Sequence, residues 1–178
     1  LEFSQGLMRD IRSIDVVPSR DPIKAALLYV SPHYPCESAI LGTTVSETSP
    51  AFRQFVSKLG WDVDLATHEG YLGRLQPGEA CDGDTALYYA NTRYEVIYHD
   101  ATRMPNDPRD LRHVKKKRHV GNDHVHIVWN ETTSYTGSTN NDDYEESPTG
   151  EYHTDTISGD FGSVIFVLRP LPHGRVAV

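Results

Sequence analysis

Three polar side chains near the middle of the chain have a spacing that could present them together to a phosphate group. Lys115, then Arg118 or His119, then Asn122 follow one another at about one helical turn, so a helical path would place them on one face. That face would be cationic and would end in a neutral carboxamide, which both donates and accepts hydrogen bonds. Such a group is suited to holding a water molecule in a defined orientation beside a phosphate.

The same residues also allow an ordinary structural interpretation. Five fixed positive charges fall between Arg112 and His119 with no acid among them, although the whole chain carries a formal net charge of −8. Cations near a helix C-terminus are favoured by the helix dipole, and Gly121 before Asn122 is typical of a left-handed helix stop. The residue types alone therefore leave two alternatives open, a functional cationic face and a solvated helix end.

A helix that would carry this face is predicted from Asp107 to about His119. Asp107 can cap the first turn, Pro108 suits the first helical position, and Asp110 would lie at the positive end of the dipole. The carboxamide would then stand just beyond the C-terminal end of this helix, before a strand predicted over residues 125–129.

Hydrophobic periodicity predicts the elements around that helix. The predicted helices span residues 5–17 and 50–59, and the other predicted strands span 25–30, 61–65, 87–90, 94–98 and 164–168, with a loop over 70–84. A polar segment from about 130 to 155 is predicted to be an insertion. Helices and strands are interleaved, which predicts one α/β domain over residues 1–178 with a mixed central sheet flanked by helices.

Composition narrows the classes of function. A chain of 178 residues is enough for one domain, and its acidic balance argues against nucleic acid or anionic lipid as a partner of the whole surface. No apolar run approaches the roughly 18–20 residues that span a bilayer, and the first residues mix charged and apolar types, so neither a transmembrane segment nor a signal peptide is predicted. Cys36 and Cys81 are expected to be reduced thiols, with a single bridge as the alternative.

Other reaction centres find little support in the sequence. The chain has no Gly-x-x-x-x-Gly-Lys-Ser/Thr motif, so it is not predicted to bind a nucleotide in a P-loop of its own. His124 and His126 would share a strand face, but no third and fourth ligand can be identified, and no metal site is predicted. Ser31, Ser38 and Ser163 lack a nucleophile-elbow context, which argues against a free-standing hydrolase.

The run Lys116-Lys-Arg-His-Val-Gly-Asn-Asp123, followed by the strand-like residues 124–129, resembles the signature segment of the Rap/Ral/tuberin type of GTPase-activating domain. Other segments resemble further motifs of that family, and the likeness extends from about residue 11 to residue 178. These segments are residues 59–63, 70–75, 101–105 and 160–167.

The resemblance implies a GTPase activator that supplies a group in trans and is not itself an enzyme. Asn122 would be the asparagine thumb that orients the attacking water in the partner's nucleotide site, and His119 would be a second catalytic residue that supports it. The resemblance further implies that Lys115, Lys116, Lys117 and Arg118 bind and steer the GTPase, and that Gly121, Asp123 and Asn130 support the site. It implies no cofactor, because GTP and Mg²⁺ belong to the GTPase.

Two branches of the family share features with this chain. The unbroken Lys-Lys-Arg-His run and residues 28–32 favour the tuberin branch, which we take as the preferred relative, whereas residues 124–129 and the Gly60-Trp61 pair favour the Ral-directed branch. The tuberin branch implies Rheb as the GTPase, a hamartin-like subunit, control of TOR growth signalling, and a cytoplasmic protein recruited to endomembrane or lysosomal surfaces. The alternatives are a Ral- or Rap-directed activator and a non-catalytic module that only binds a GTPase. Because family domains usually continue for several more residues, part of the GTPase-binding surface is expected to lie outside this chain.

Overall fold

A mixed β-sheet with helices on both faces forms the part of the chain that the computed structural model describes, namely residues 4–15, 19–32, 36–78, 82–132, 152–157, 159, 164–171 and 174–178. The helices are α1 (Gln5–Asp15), α2 (Glu37–Gly42), α3 (Pro50–Val56) and α4 (Val114–Val120), with a 3-10 helix at Val45–Glu47. The strands are β1 (Asp21–Val30), β2 (Trp61–Asp64), β3 (Thr85–Ala90), β4 (Tyr94–Asp100), β5 (Val125–Asn130), β6 (Val164–Pro170) and β7 (Val176–Ala177).

The strand order is β2-β3-β4-β1-β5-β6-β7. Strand β1 lies parallel to β4 and β5, β5 lies parallel to β6, and the remaining pairs are antiparallel. The predicted mixed α/β architecture is therefore confirmed. Residues 25–30 are all buried in the middle of this sheet, which is why they form a continuous apolar run where a half-exposed strand would alternate.

Alternate residues of β1 contribute to two different cores. Ala26 and Leu28 pack with Ile40 of α2 and Val120 of α4 on one face. The opposite face carries Leu27 and Tyr29, together with aromatic residues from α3 and β5. Helix α4 thus packs on one side of the sheet, and a turn over residues 121–124 joins its C-terminal end to β5.

The structure corrects the predicted start of the central helix, which begins at Val114 where Asp107 was expected. His113 has a left-handed backbone with φ of 51°, and such a residue cannot belong to a right-handed helix. The Asp110 carboxylate accepts hydrogen bonds from the backbone N–H groups of Val114 and Lys115, at 3.0 and 2.8 Å. Asp110 therefore caps the helix from outside it, where a place within its first turn had been predicted.

Several smaller predictions also differ from the structure. Helix α3 ends at Val56, three residues before the predicted end, whereas α2 and β7 were not predicted at all. Gly121 follows α4 with φ of −68°, so the predicted left-handed stop is wrong.

Part of the predicted polar insertion lies outside the described residues. Its first residues, 130–132, and its last, 152–155, are described, and the segment between them is not. Cys36 is exposed, whereas Cys81 lies outside the described residues, so the state of the two thiols stays a prediction. Among the described helices, none has both the length and the apolar character needed to cross a bilayer.

Candidate functional site

Between exposed Arg118 and exposed His124, the turn at residues 119–123 leaves only the Asn122 side chain partly exposed. His119, Val120, Gly121 and Asp123 are all buried, and Asn122 between them is partly exposed. Within residues 119–123 a single polar side chain therefore reaches solvent. This arrangement makes the Asn122 amide the accessible chemical group of the turn.

The Asn122 side chain is folded back onto the helix end. Its Nδ2 atom donates to the carbonyl oxygen of Arg118 at 2.6 Å, and its backbone N–H donates to the His119 carbonyl oxygen at 3.1 Å. The backbone oxygen of Asn122 accepts a hydrogen bond from Lys24 Nζ at 2.9 Å. The main chain of the turn is thus held on both sides, while the amide is retained by one exposed hydrogen bond.

His119 faces inward and meets a carboxylate. Its Nε2 atom lies 3.0 Å from Asp82 Oδ1, and the Asp82 side chain is fully buried. Burial lowers the pKa of His119 more than the Asp82 carboxylate raises it. Because a carboxylate can only accept, a neutral His119 ring would donate to Asp82 from Nε2.

A second buried pair lies beside the first. Asp123 Oδ2 is 2.8 Å from His99 Nδ1, and Lys24 Nζ is 3.4 Å from Asp123 Oδ1. The rings of His99 and His119 are 5.1 Å apart and meet edge to face. The turn that carries Asn122 is therefore flanked by two carboxylate–imidazole pairs in van der Waals proximity.

Lys116 occupies a place that the sequence did not suggest. Only 2% of this residue is exposed, and its ammonium donates to the carbonyl oxygens of Leu41 and Ala101 at 2.8 and 2.9 Å. Burial lowers its pKa to about 8. The expectation that Lys116 belongs to a GTPase-binding surface is not met in this conformation, because the ammonium points into the core and joins α4 to α2 and the end of β4.

The three other cations of residues 115–118 lie at the surface, and each has a carboxylate of the chain within 4.0 Å. Lys115 Nζ is 2.8 Å from Asp107, and Lys117 Nζ is 2.8 Å from Glu37. Half of the Arg118 side chain is exposed, with its Nη2 atom 4.0 Å from Asp82 Oδ1. Lys115 and Arg118 are exposed, Asn122 is partly exposed and His119 is buried, and the predicted sharing of one face by these residues stays a prediction.

Asn130 lies far from this turn along β5. It is buried, and its Oδ1 atom accepts hydrogen bonds from the backbone N–H and the hydroxyl of Thr132, at 3.0 and 2.8 Å. At about 3.3 Å per residue, β5 separates Asn130 from Asn122 by roughly 20 Å. Asn130 therefore stabilises the chain where it leaves the C-terminal end of β5. Any support that it gives to the turn at Asn122 is indirect.

The two strand histidines do not form a ligand pair. His124 is exposed and His126 is buried in the sheet face. Within the part of the chain that the structure describes, no group of three or more His, Cys, Asp or Glu residues is arranged to hold a metal ion.

Lys24, Asp82 and His99 were not identified from the sequence. Lys24 interrupts a strand that is otherwise largely apolar, and this was the one available signal. Asp82 lies in a glycine-rich loop, and His99 precedes Asp100 at the end of a strand. Neither pattern distinguishes a buried partner from a solvated side chain.

Comparison with known proteins identifies relatives across the whole chain. A sequence profile of the Rap/ran-GAP family matches residues 40–176. Over 178 residues the chain is 40% identical to the probable Rho GTPase-activating protein CG5521 of Drosophila melanogaster and 36% identical to human Ral GTPase-activating protein subunit alpha-1. Both matches cover 100% of this chain but only 8% of the relative. The solved structure of the TSC2 GAP domain has a TM-score of 0.71 and 27% identity, covering 86% of this chain and 71% of that one.

Proposed function

This chain belongs to the Rap/ran-GAP family, and we propose that it accelerates GTP hydrolysis by a small Ras-family GTPase through the side-chain amide of Asn122. The observation that carries the proposal is the partial exposure of that amide within residues 119–123, whose other side chains are buried. A small GTPase hydrolyses GTP slowly when its attacking water is poorly placed, and a positioned hydrogen-bonding group corrects this. Asn122 would enter the partner's nucleotide site and orient the water.

The hydrogen bonds of Asn122 suit such a role. Its main chain is fixed by Lys24 and by the end of α4, whereas its side chain must release only the Arg118 carbonyl oxygen to extend. The net value of one exposed hydrogen bond is about 0.5–1.5 kcal/mol. Contacts made inside a GTPase active site can offset that cost, so an extended amide is accessible from the folded-back one.

The surrounding residues take distinct parts in the proposal. His119 supports the turn from below through Asp82, and Arg118 and Lys117 lie outside, where they can dock against an acidic surface of the GTPase. Lys115 adds to electrostatic steering. GTP and Mg²⁺ come with the GTPase, so the chain needs no cofactor of its own.

Two partner GTPases are supported by different observations. Ral is supported by the 36% identity to the human Ral GTPase-activating subunit over the full chain. Rheb is supported by the Lys116–His119 run and by the likeness to the TSC2 GAP domain. The preference for Rheb, a hamartin-like subunit, TOR signalling and a cytoplasmic location with recruitment to endomembranes all stay predictions.

The experiment is single-turnover GTP hydrolysis by Ral, Rheb and Rap with the chain and with its Asn122→Ala form. We expect acceleration of at least one GTPase and a loss of about 10²-fold or more on substitution, as for removal of a transition-state group. Asn106→Ala is the matched control, because this exposed amide also donates to a backbone carbonyl oxygen, that of Gly42 at 2.7 Å. Equal acceleration by wild type and Asn122→Ala would refute the role of the amide. GTPase binding without any acceleration by wild type would instead favour the non-catalytic module.

A further inference from the structure

Two buried residues and one half-buried lysine from distant parts of the chain converge on the turn that carries Asn122. Lys24 lies on β1, Asp82 in the loop before β3, and His99 on β4, and each bonds to a residue of α4 or of the turn. We infer that Lys24, Asp82 and His99 are positioning residues, which set the orientation of the Asn122 amide without touching the GTPase. This inference rests on the proposed function and goes beyond it, because it assigns the activity in part to residues outside the helix.

Lys24 makes the most direct of these contacts. Its ammonium bonds to the backbone oxygen of Asn122 itself and lies 3.4 Å from Asp123 Oδ1. The Lys24 side chain is 14% exposed and that of Asp123 is fully buried. A buried carboxylate is stable only when it is paired and hydrogen-bonded. The ammonium therefore pairs with the carboxylate of the residue after Asn122 and restrains the main chain of Asn122 at the same time.

His99 completes the environment of Asp123. Its Nδ1 atom lies 2.8 Å from Asp123 Oδ2, whereas Lys24 lies near the other oxygen, Oδ1. The two carboxylate oxygens thus have separate partners on β1 and β4. Because β4 and β5 both neighbour β1 in the sheet, these contacts tie the turn to a rigid part of the fold.

Asp82 holds the other side of the turn through His119. Besides contacting His119 Nε2, its carboxylate accepts the backbone N–H of Gln76 at 2.8 Å. The loop before β3 is therefore connected through one buried carboxylate to the last turn of α4. The carbonyl oxygen of His119 accepts the Asn122 backbone N–H, so a displaced His119 would move the main chain from which the amide extends.

Positioning predicts a specific kinetic signature. Misplacement of a reacting group by about 1 Å can cost about 10²-fold in rate without affecting docking. Substitutions in the network should therefore lower the rate at saturating activator and leave the half-saturating concentration of activator unchanged. A residue that contacts the GTPase would change the half-saturating concentration instead.

The test is single-turnover hydrolysis by the responsive GTPase over a range of activator concentrations. For Lys24→Met and Asp82→Ala we expect a saturating rate about 10–100-fold lower and a half-saturating concentration within about threefold of wild type. Lys24→Arg should restore most of the rate, because a guanidinium can donate to the same oxygens. Asp62→Ala is the control, since this exposed carboxylate pairs with Arg103 outside the network.

A second measurement covers variants that fold poorly. The side-chain amide resonances of Asn122 in a ¹H–¹⁵N spectrum should shift in folded Lys24→Arg and Asp82→Asn, and should stay in place in Asp62→Ala. In an Asn122→Ala background, the network substitutions should cause no further loss of rate.

The outcomes separate the inference from the proposed function. Folded Lys24→Met and Asp82→Ala with wild-type saturating rates would overturn the inference, while an inactive Asn122→Ala would still uphold the thumb. A fully active Asn122→Ala would refute the proposed function. The inference would then also fail as a statement about catalysis, even if the amide resonances shift. A change confined to the half-saturating concentration would show that Lys24 or Asp82 acts in docking and would overturn the inference as well.

Discussion

Replacement of Lys116 by methionine distinguishes a buried structural lysine from a docking one. The Lys116 ammonium lies inside the protein between the Leu41 and Ala101 carbonyl oxygens, although its neighbours in the sequence are surface cations. Methionine has a similar length and no charge, so Lys116→Met removes two hydrogen bonds while keeping most of the packing. We expect this change to affect stability and to leave electrostatic attraction of a GTPase unaltered.

The magnitude follows from two opposing contributions. Two buried carbonyl oxygens would lose their donor, at about 1–3 kcal/mol each. Against this, burial lowers the pKa of Lys116 from 10.5 to about 8, and at about 1.4 kcal/mol per pKa unit methionine avoids a cost of about 3 kcal/mol. The difference is a loss of about 1 kcal/mol in the free energy of unfolding, with an upper bound of about 3 kcal/mol.

Urea unfolding and the rate of association with the GTPase at low and high salt measure the two effects. Lys117→Met is the matched control, because Lys117 is the adjacent surface lysine and pairs with Glu37. It should change the free energy of unfolding by less than about 1 kcal/mol and slow association at low salt, with the difference shrinking as salt rises. If Lys116→Met instead slowed association in the same salt-dependent way with no loss of stability, the buried assignment would be refuted.

Two further changes test the packing around the turn and the buried imidazoles. In Gly159→Ala the new Cβ would lie 2.0 Å from the Gly121 carbonyl oxygen. We therefore expect urea unfolding to show a free energy of unfolding lower by about 1–3 kcal/mol, and stimulated GTP hydrolysis to be slower. Gly6→Ala, with no neighbour closer than 3.8 Å, is the control, and wild-type behaviour of Gly159→Ala would contradict the close approach. Burial lowers the pKa of His126 below its ordinary value of 6.5, so the unfolded chain binds more protons there and stability should fall as pH drops below about 6.5. Between about pH 7.5 and about pH 5.5, the free energy of unfolding should fall less in His126→Leu than in wild type. An equal fall in both proteins would exclude His126 as a contributor.

Local sequence patterns were sufficient where a single element determines its own conformation. Ser49 and Pro50 predicted the start of α3, and the Ser49 hydroxyl accepts the Phe52 N–H at 3.1 Å. The apolar run of residues 25–30 predicted a strand buried on both faces, and β1 is that strand. In both cases the deciding contacts are short-range or depend on burial alone, which hydrophobicity indicates directly.

The start of α4 shows where local patterns fail. Asp107-Pro108 has the sequence of a helix start, but the chain makes separate turns there, and the Asp107 carboxylate accepts from the backbone N–H of Arg109 at 2.9 Å and from Lys115 Nζ. Aspartate can stabilise such a turn as well as it can cap a helix. Where the helix starts depends on Asp110 and His113 further along the chain. Asp107 and Asp110 were both acceptable N-terminal caps, and the sequence did not indicate which of them caps the helix.

The sequence predicted the exposed side chain of the candidate site, Asn122, but not the buried residues that hold its turn in place. Asn122 and the outward side of the helix end follow from helical spacing and from the family resemblance. The inward lysine could have been suspected from the same spacing, since Lys116 is four residues before the apolar Val120. The pairs between His119 and Asp82 and between His99 and Asp123 join residues 37 and 24 positions apart. Such contacts depend on strand order, which periodicity does not specify.

The concentration of buried charge at this one turn is itself an argument about function. Replacing buried ion pairs with apolar side chains of similar volume is often neutral or stabilising, so Lys24, Asp123 and Asp82 are an inefficient way to gain stability. What charged groups offer in a buried setting is directional contact, because a carboxylate with two fixed partners tolerates little rotation. A turn held in this way keeps its one exposed amide in a narrow range of positions. Stability and stimulated hydrolysis should therefore respond differently to substitutions here, whereas substitutions in the apolar core around Leu28 should lower both together.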